Sequence, residues 1–222
     1  MKGKELMELL EAFAPKQYAC SWDNVGLLVG RSDQEVKKVL VALDATNEVV
    51  DRAVEEGVDM IITHHPVLFS SIKAINDQDF MGRKLLKLME NQIACFAMHT
   101  NFDVIGMADL AGSYLGFPED ARPLEVTVEE EDRVEGIGRV STLPEPMNLG
   151  QYAEFVKKAL KLEHVLLFGK EEKQVSKVAI SPGSGRSMVK EALACGADVL
   201  ITGDIGHHEG LDAMDMGLAI IE

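Results

Sequence analysis

The sequence predicts an α/β protein made of two similar halves, an internal duplication, with mainly parallel or mixed sheets facing each other. Three observations lead there. Short, continuously apolar runs such as Val39 to Leu43, Met60 to Thr63, Ile93 to Met98 and Val199 to Thr202 have the character of strands buried on both faces. Segments of helical period alternate with them, which is the rhythm of layered α/β folds. The chain also repeats itself. Val36 through Thr63 aligns without a gap to Val175 through Thr202, so that Gly57 matches Gly196, Asp59 matches Asp198 and Thr63 matches Thr202, each 139 residues on. Identities at Lys, Val, Ala, Gly, Asp and Thr in one register favour a duplicated half-fold over two unrelated βαβ units.

The elements follow in order. Glu5 to Phe13 places Leu6, Leu9, Leu10 and Phe13 on one helical stripe, and Ala14-Pro15 ends it. Trp22 to Gly30 reads as a turn and a short apolar run. Val39 to Leu43 is a strand, Asn47 to Glu56 a helix capped by Gly57, and Met60 to Thr63 the next strand. Lys84 to Glu90 is a helix, Ile93 to Met98 a strand, and Ala108 to Leu115 a helix before Gly116. Val126 to Asp132 reads as an exposed hairpin or edge. Leu149 to Leu160 is a helix, Val165 to Phe168 and Val178 to Ile180 are strands, and Ser187 to Ala194 is a helix. Val199 to Thr202 and Leu218 to Ile221 complete the strands. The expected halves are 1–120, with the HHP and HTNFD motifs, and 121–222, with SPGSGRS and TGDIGHHE.

Composition narrows the function. The 222 residues suffice for one large or two small intimate domains. Lys and Arg number 22 against 37 Asp and Glu, a net charge of −15, which argues against nucleic acid as a partner. Hydrophobic residues at 46% and charged ones at 27% exclude a disordered chain. Three cysteines without CxxC spacing offer no disulfide framework or zinc knuckle. No apolar run is long enough for a membrane span, and Met1 to Leu6 has no signal-peptide core. A cytoplasmic protein is expected.

Four of the six histidines form two pairs, His64-His65 and His207-His208, after equivalent strands. The carboxyl ends of parallel strands are where open α/β sheets hold ligands. Neighbours on a strand point to opposite faces, so His64 and His65 would serve one ion each in a two-metal site, if the strand is already turning. Neutral imidazole suits zinc, iron, nickel and copper. His99-Thr100-Asn101-Phe102-Asp103 follows another buried strand. There Asp103 offers a hard oxygen, and His99 is a supporting group or general base. Alternatively, Asp103 or Thr100 caps the helix around Ala108 to Leu115. Asp44 reads as the N-cap of the helix after it. Ser181 to Ser187 resembles an anion-binding turn with Arg186, but a plain tight turn is favoured. The Glu129 to Asp132 run reads as a solvated loop, and the eleven methionines as core filler.

The motifs Trp22-Asp23-Asn24-Val25-Gly26-Leu27, Ile62-Thr63-His64-His65-Pro66, His99-Thr100-Asn101-Phe102-Asp103 and Thr202-Gly203-Asp204, in that order, resemble the GTP cyclohydrolase 1 type 2, or NIF-three-like, family. The resemblance implies two related α/β halves, two divalent ions per subunit and a toroidal homohexamer. It carries the metal-ligand roles onto His64, His65 and Asp103, and leaves zinc, iron, manganese and nickel undistinguished. It also implies a His and a Glu ligand just beyond the strand Leu218 to Ile221, a pair that the sequence through Glu222 does not include. His207, His208 and Glu209 are the nearest substitutes, although the resemblance assigns them no ligand role. The extra domain that longer members insert between the halves is expected to be absent. The activity implied is metal-dependent hydrolysis of a small-molecule substrate not specified by the motifs. The alternative is a non-catalytic metal-binding ring acting as scaffold, metal carrier or regulatory partner.

Overall fold

The N-terminal apolar stripe forms helix α1 (Gly3–Phe13), which stops where Ala14 donates its N–H to Leu10 and Pro15 withholds one. In the computed structural model, which describes residues 1–131 and 133–222, the chain divides into two compact units, Met1–Phe102 and Asp103–Glu222.

The first unit continues through β1 (Gly26–Val29), β2 (Val39–Ala42), α2 (Asn47–Glu55), β3 (Met60–Thr63), α3 (Phe80–Glu90), β4 (Ala94–Ala97) and the short helix α4 (Thr100–Phe102). Its sheet has the order β1-β4-β3-β2, with β2, β3 and β4 parallel and β1 antiparallel to β4. Ile61 and Cys95 pack with Val50 and Ala53 of α2 and with Leu85 and Leu88 of α3 in the core.

The second unit opens with a π-helical turn, Asp103–Met107, and α5 (Ala108–Tyr114). It continues through β5 (Arg122–Glu130), β6 (Arg133–Asn148), α6 (Leu149–Leu160), β7 (Leu167–Phe168), β8 (Gln174–Ser184), α7 (Met188–Ala194), β9 (Val199–Asp204), α8 (His207–Asp215) and β10 (Ala219–Ile221). The sheet is mixed, in the order β5-β6-β8-β9-β10-β7. The acidic stretch forms the expected hairpin, with β5 at the sheet edge, and Asp132 lies outside the described residues. Helix α5, which the sequence groups with the first half, belongs to the second unit; Ala111 and the following Leu115 pack against Leu149, Val156 and Ile180. The long strand β6 has no legible period in the sequence, because its glycines and prolines interrupt it. It carries a buried Arg139 that is satisfied by Asp109, Glu135 and the carbonyls of Gly136 and Gly138.

The repeat is physical. Val39 pairs with Met60 and Ala42 with Thr63; 139 residues later, Val178 pairs with Val199 and Ser181 with Thr202. Asp59 Oδ2 accepts the N–H groups of Lys37 (2.8 Å) and Lys38 (2.9 Å), and Asp198 Oδ2 accepts those of Ser176 (2.8 Å) and Lys177 (2.9 Å). Helices α2 and α7 are each followed by a glycine in the left-handed region, Gly57 at φ 64° and Gly196 at φ 73°, where a side chain would be strained. The strand orders β1-β4-β3-β2 and β7-β10-β9-β8 match as well. Among the described residues, no helix is long and apolar enough to cross a membrane.

Candidate metal centre

Strand β3 ends at Thr63, but its ladder runs on, with the His64 and His65 N–H groups donating to the Ala42 and Leu43 carbonyls. The backbone turns there, before Pro66, and brings the two imidazoles together with centroids 5.0 Å apart. The neighbouring strand β4 leads into His99, whose ring lies 5.1 Å from His64 and 5.6 Å from His65. One ring nitrogen of each histidine lies within 4.8 Å of the others. Among the described residues, this is the one such cluster of three or more His, Cys, Asp or Glu side chains.

Each imidazole is oriented by an acceptor. His64 Nδ1 donates to the Met98 carbonyl at 3.0 Å, His65 Nδ1 to Asp44 Oδ1 at 2.8 Å, and His99 Nδ1 to Asp23 Oδ1 at 3.0 Å. A carbonyl or carboxylate can only accept, so Nδ1 carries a proton, and in a neutral ring the lone pair is then on Nε2, the arrangement of metal-binding histidines. Burial pulls His64 below the usual imidazole range, and the nearby His99 ring pushes the same way against the Met98 hydrogen bond. Its neutral, ligating form is therefore favoured.

Asp23 anchors the arrangement. Burial alone would raise its carboxyl, but Thr100 Oγ1 (2.5 Å), His99 and the Thr100 N–H (3.0 Å) outweigh it and hold Asp23 below the ordinary carboxylate range. Thr100 Oγ1 also accepts from the Cys20 N–H at 2.8 Å, tying the Trp22 loop to the end of β4.

Several expectations change. Asp44 does not cap α2: Thr46 does, accepting from the Val49 N–H, and Asp44 instead supports His65. Neither Thr100 nor Asp103 caps α5, whose N-cap is Met107 without a side-chain bond. His99 enters the cluster directly. Asp103 lies four residues further on, half-buried, as the first residue of the second unit. His207 and His208 are exposed in the first turn of α8, not at a strand end. Arg186 pairs with Glu209 at 3.1 Å. In sequence Asp23 lies in a turn and Asp44 at a strand end, each far from the histidine it orients, so no local signal marks that role.

A divalent ion fits this donor set, because three imidazoles with their protons directed to acceptors present lone pairs to a common space. Fold and cluster together define a two-unit α/β protein with three histidines placed so that they could hold a metal ion. The chain belongs to the Duf34/NIF3 (NGG1p interacting factor 3) family, whose model matches residues 1–222. It is 35% identical to a Clostridium acetobutylicum protein named GTP cyclohydrolase 1 type 2 homolog, over all of this chain and 83% of that one. A Bacillus cereus protein related to NIF3 has a similar structure, with TM-score 0.91 and 28% identity over all of this chain and 87% of the other. A Staphylococcus aureus protein matches with TM-score 0.88 and 31% identity, over all of this chain and 85% of the other.

Proposed function

We propose that the chain is a divalent-metal-dependent hydrolase of a small molecule, with His64, His65 and Asp103 as ligands and two ions per subunit. The observation that supports this most is the set of three imidazoles, each with Nδ1 on an acceptor and ring nitrogens within 4.8 Å. Such a spread is compatible with ions about 3.5–4 Å apart. Ions held there would supply Lewis acidity and acidify water. The chain's own part is to keep His64 neutral and to aim both rings, with Asp44 fixing that of His65. His99, backed by Asp23, is a third imidazole able to ligate or to take a proton during turnover. Asp103 contributes a hard oxygen.

The test joins metal content with turnover. Elemental analysis should find two ions per chain, and hydrolysis with added Mn, Fe, Zn or Ni should fall in both His65→Ala and Asp103→Ala. Metal-dependent activity that survives both substitutions sinks this assignment. The family description, an interacting factor, favours a second reading: a non-catalytic metal-binding ring that acts as a scaffold, metal carrier or regulatory partner. It expects metal and a ring-sized species in light scattering, with no turnover across a broad hydrolase panel.

A further inference from the structure

Two large aromatic rings remain exposed at the rim of the histidine cluster. Trp22 is 67% exposed and Phe69 58% exposed. Both adjoin His99. The Trp22 ring lies 6.1 Å from the imidazole at 73°, and the Phe69 ring 5.6 Å away at 89°. Phe69 also lies 6.4 Å from the His65 ring. The loops that carry them are held in place. Trp22 precedes Asp23, whose carboxylate is anchored on His99 and Thr100. Asn24 Nδ2 then donates to the Leu68 carbonyl at 2.7 Å, which joins the Trp22 loop to the residue before Phe69.

Neither ring is needed to orient an imidazole, since each histidine already has its acceptor. Exposed aromatic faces on anchored loops beside the histidine cluster are suited to receive another ring. An aromatic face gains offset-stacked or edge-to-face contact with a flat ring, which an aliphatic group of equal size does not reproduce.

We propose that Trp22 and Phe69 form a ring-binding rim, so that the substrate is a flat aromatic or heteroaromatic ring carrying the oxygen or nitrogen that meets the ion. The inference rests on the metal reading above and adds the substrate class. It makes Trp22 and Phe69 specificity-determining residues, distinct from the histidines that bind the ion.

The test uses the full chain loaded with zinc. Picolinate, a flat ring with a chelating nitrogen and carboxylate, is compared with its saturated counterpart pipecolate. Trp22 is the only tryptophan in the chain, so its fluorescence reports the approach of a ring directly. Picolinate is expected to change that emission, and its affinity by calorimetry to fall about 5- to 10-fold in Phe69→Ala and in Trp22→Leu. Pipecolate affinity and zinc affinity should stay unchanged in both variants. A wild-type chain that takes up no zinc overturns the metal reading, and this inference with it. Zinc uptake with equal picolinate affinity in wild type and variants overturns the rim alone. So does a change in oligomeric state without a change in picolinate affinity, which would make these rings an assembly surface.

Discussion

The strand pairs β2–β3 and β8–β9 share a register, a carboxylate clamp and a glycine cap, yet they are used differently. In the second unit, Val178 and Ile180 are buried beneath Leu149, Tyr152 and Val156 of α6, and Ile180 is 4% exposed. Their counterparts in the first unit, Val39 and Val41, remain open, with Val41 75% exposed. The far edge of β8 is covered by β6, whereas β2 is the edge of its sheet. The strand ends differ too. The first pair leads into His64-His65-Pro66; the second leads into Gly203-Asp204, beside a cavity of about 540 Å³ walled partly by Val156, Leu160 and Ile201. The repeat therefore preserves what forms the backbone scaffold, while packing and chemistry diverge around it.

The largest expected contrast is in metal binding. His64→Ala, His65→Ala or His99→Ala should weaken zinc binding beyond the roughly 10- to 100-fold loss that follows removal of an outer orienting partner. His207→Ala and His208→Ala should leave it unchanged. Calorimetry with zinc checks both; a comparable loss from His207→Ala would undo the contrast between the units.

Packing comes next. Ile180→Ala should cost about 2–5 kcal/mol through lost burial and a residual cavity. Val41→Ala at the matching position should stay within about 0.5 kcal/mol. Urea unfolding curves give both values, and similar losses would mean that the open face of β2 is covered in solution.

The shared clamp gives a smaller effect. Asp198→Ala leaves two partly buried N–H groups unpaired and should cost about 1–3 kcal/mol. Asp59→Ala, in a more exposed setting, should cost less, as read from the same curves.

The smallest effect is a pH dependence specific to the first unit. The fold holds Asp23 below the ordinary 3.8, so the unfolded chain takes up that proton first as pH falls. The stabilisation from Asp23 is therefore full well above pH 3.8 and ebbs below it, until the folded carboxyl itself protonates. Asp23→Asn should flatten this part of the acid limb in thermal unfolding of metal-free protein. An unaltered limb would show that the Thr100 and His99 bonds do not govern Asp23.

Much of this was legible because local rules and tertiary context agreed. The repeat from Val36 to Thr63 appears in sequence because Gly57 and Asp59 have backbone duties that few other residues can perform. His64, His65 and His99 stood out because histidines are scarce in this chain and follow buried strands. Asp44 reads as a cap because an acid before a helix satisfies the local rule, and only the approach of His65 shows its actual partner. Leu115 carries no mark of which unit it packs in, since apolarity says that a face will be buried but not against what.

By itself, then, the sequence determined the α/β class and the duplicated strand–helix–strand unit and singled out His64 and His65, with His99 as a supporting group, because periodicity and turn chemistry act over a few residues. Only the tertiary structure decided that Asp23 and Asp44 orient imidazoles, that α5 joins the second unit, and that Val41 stays exposed where Ile180 is buried. Those outcomes depend on contacts between residues far apart in the chain, and no local pattern encodes which of several acceptable partners will be nearest.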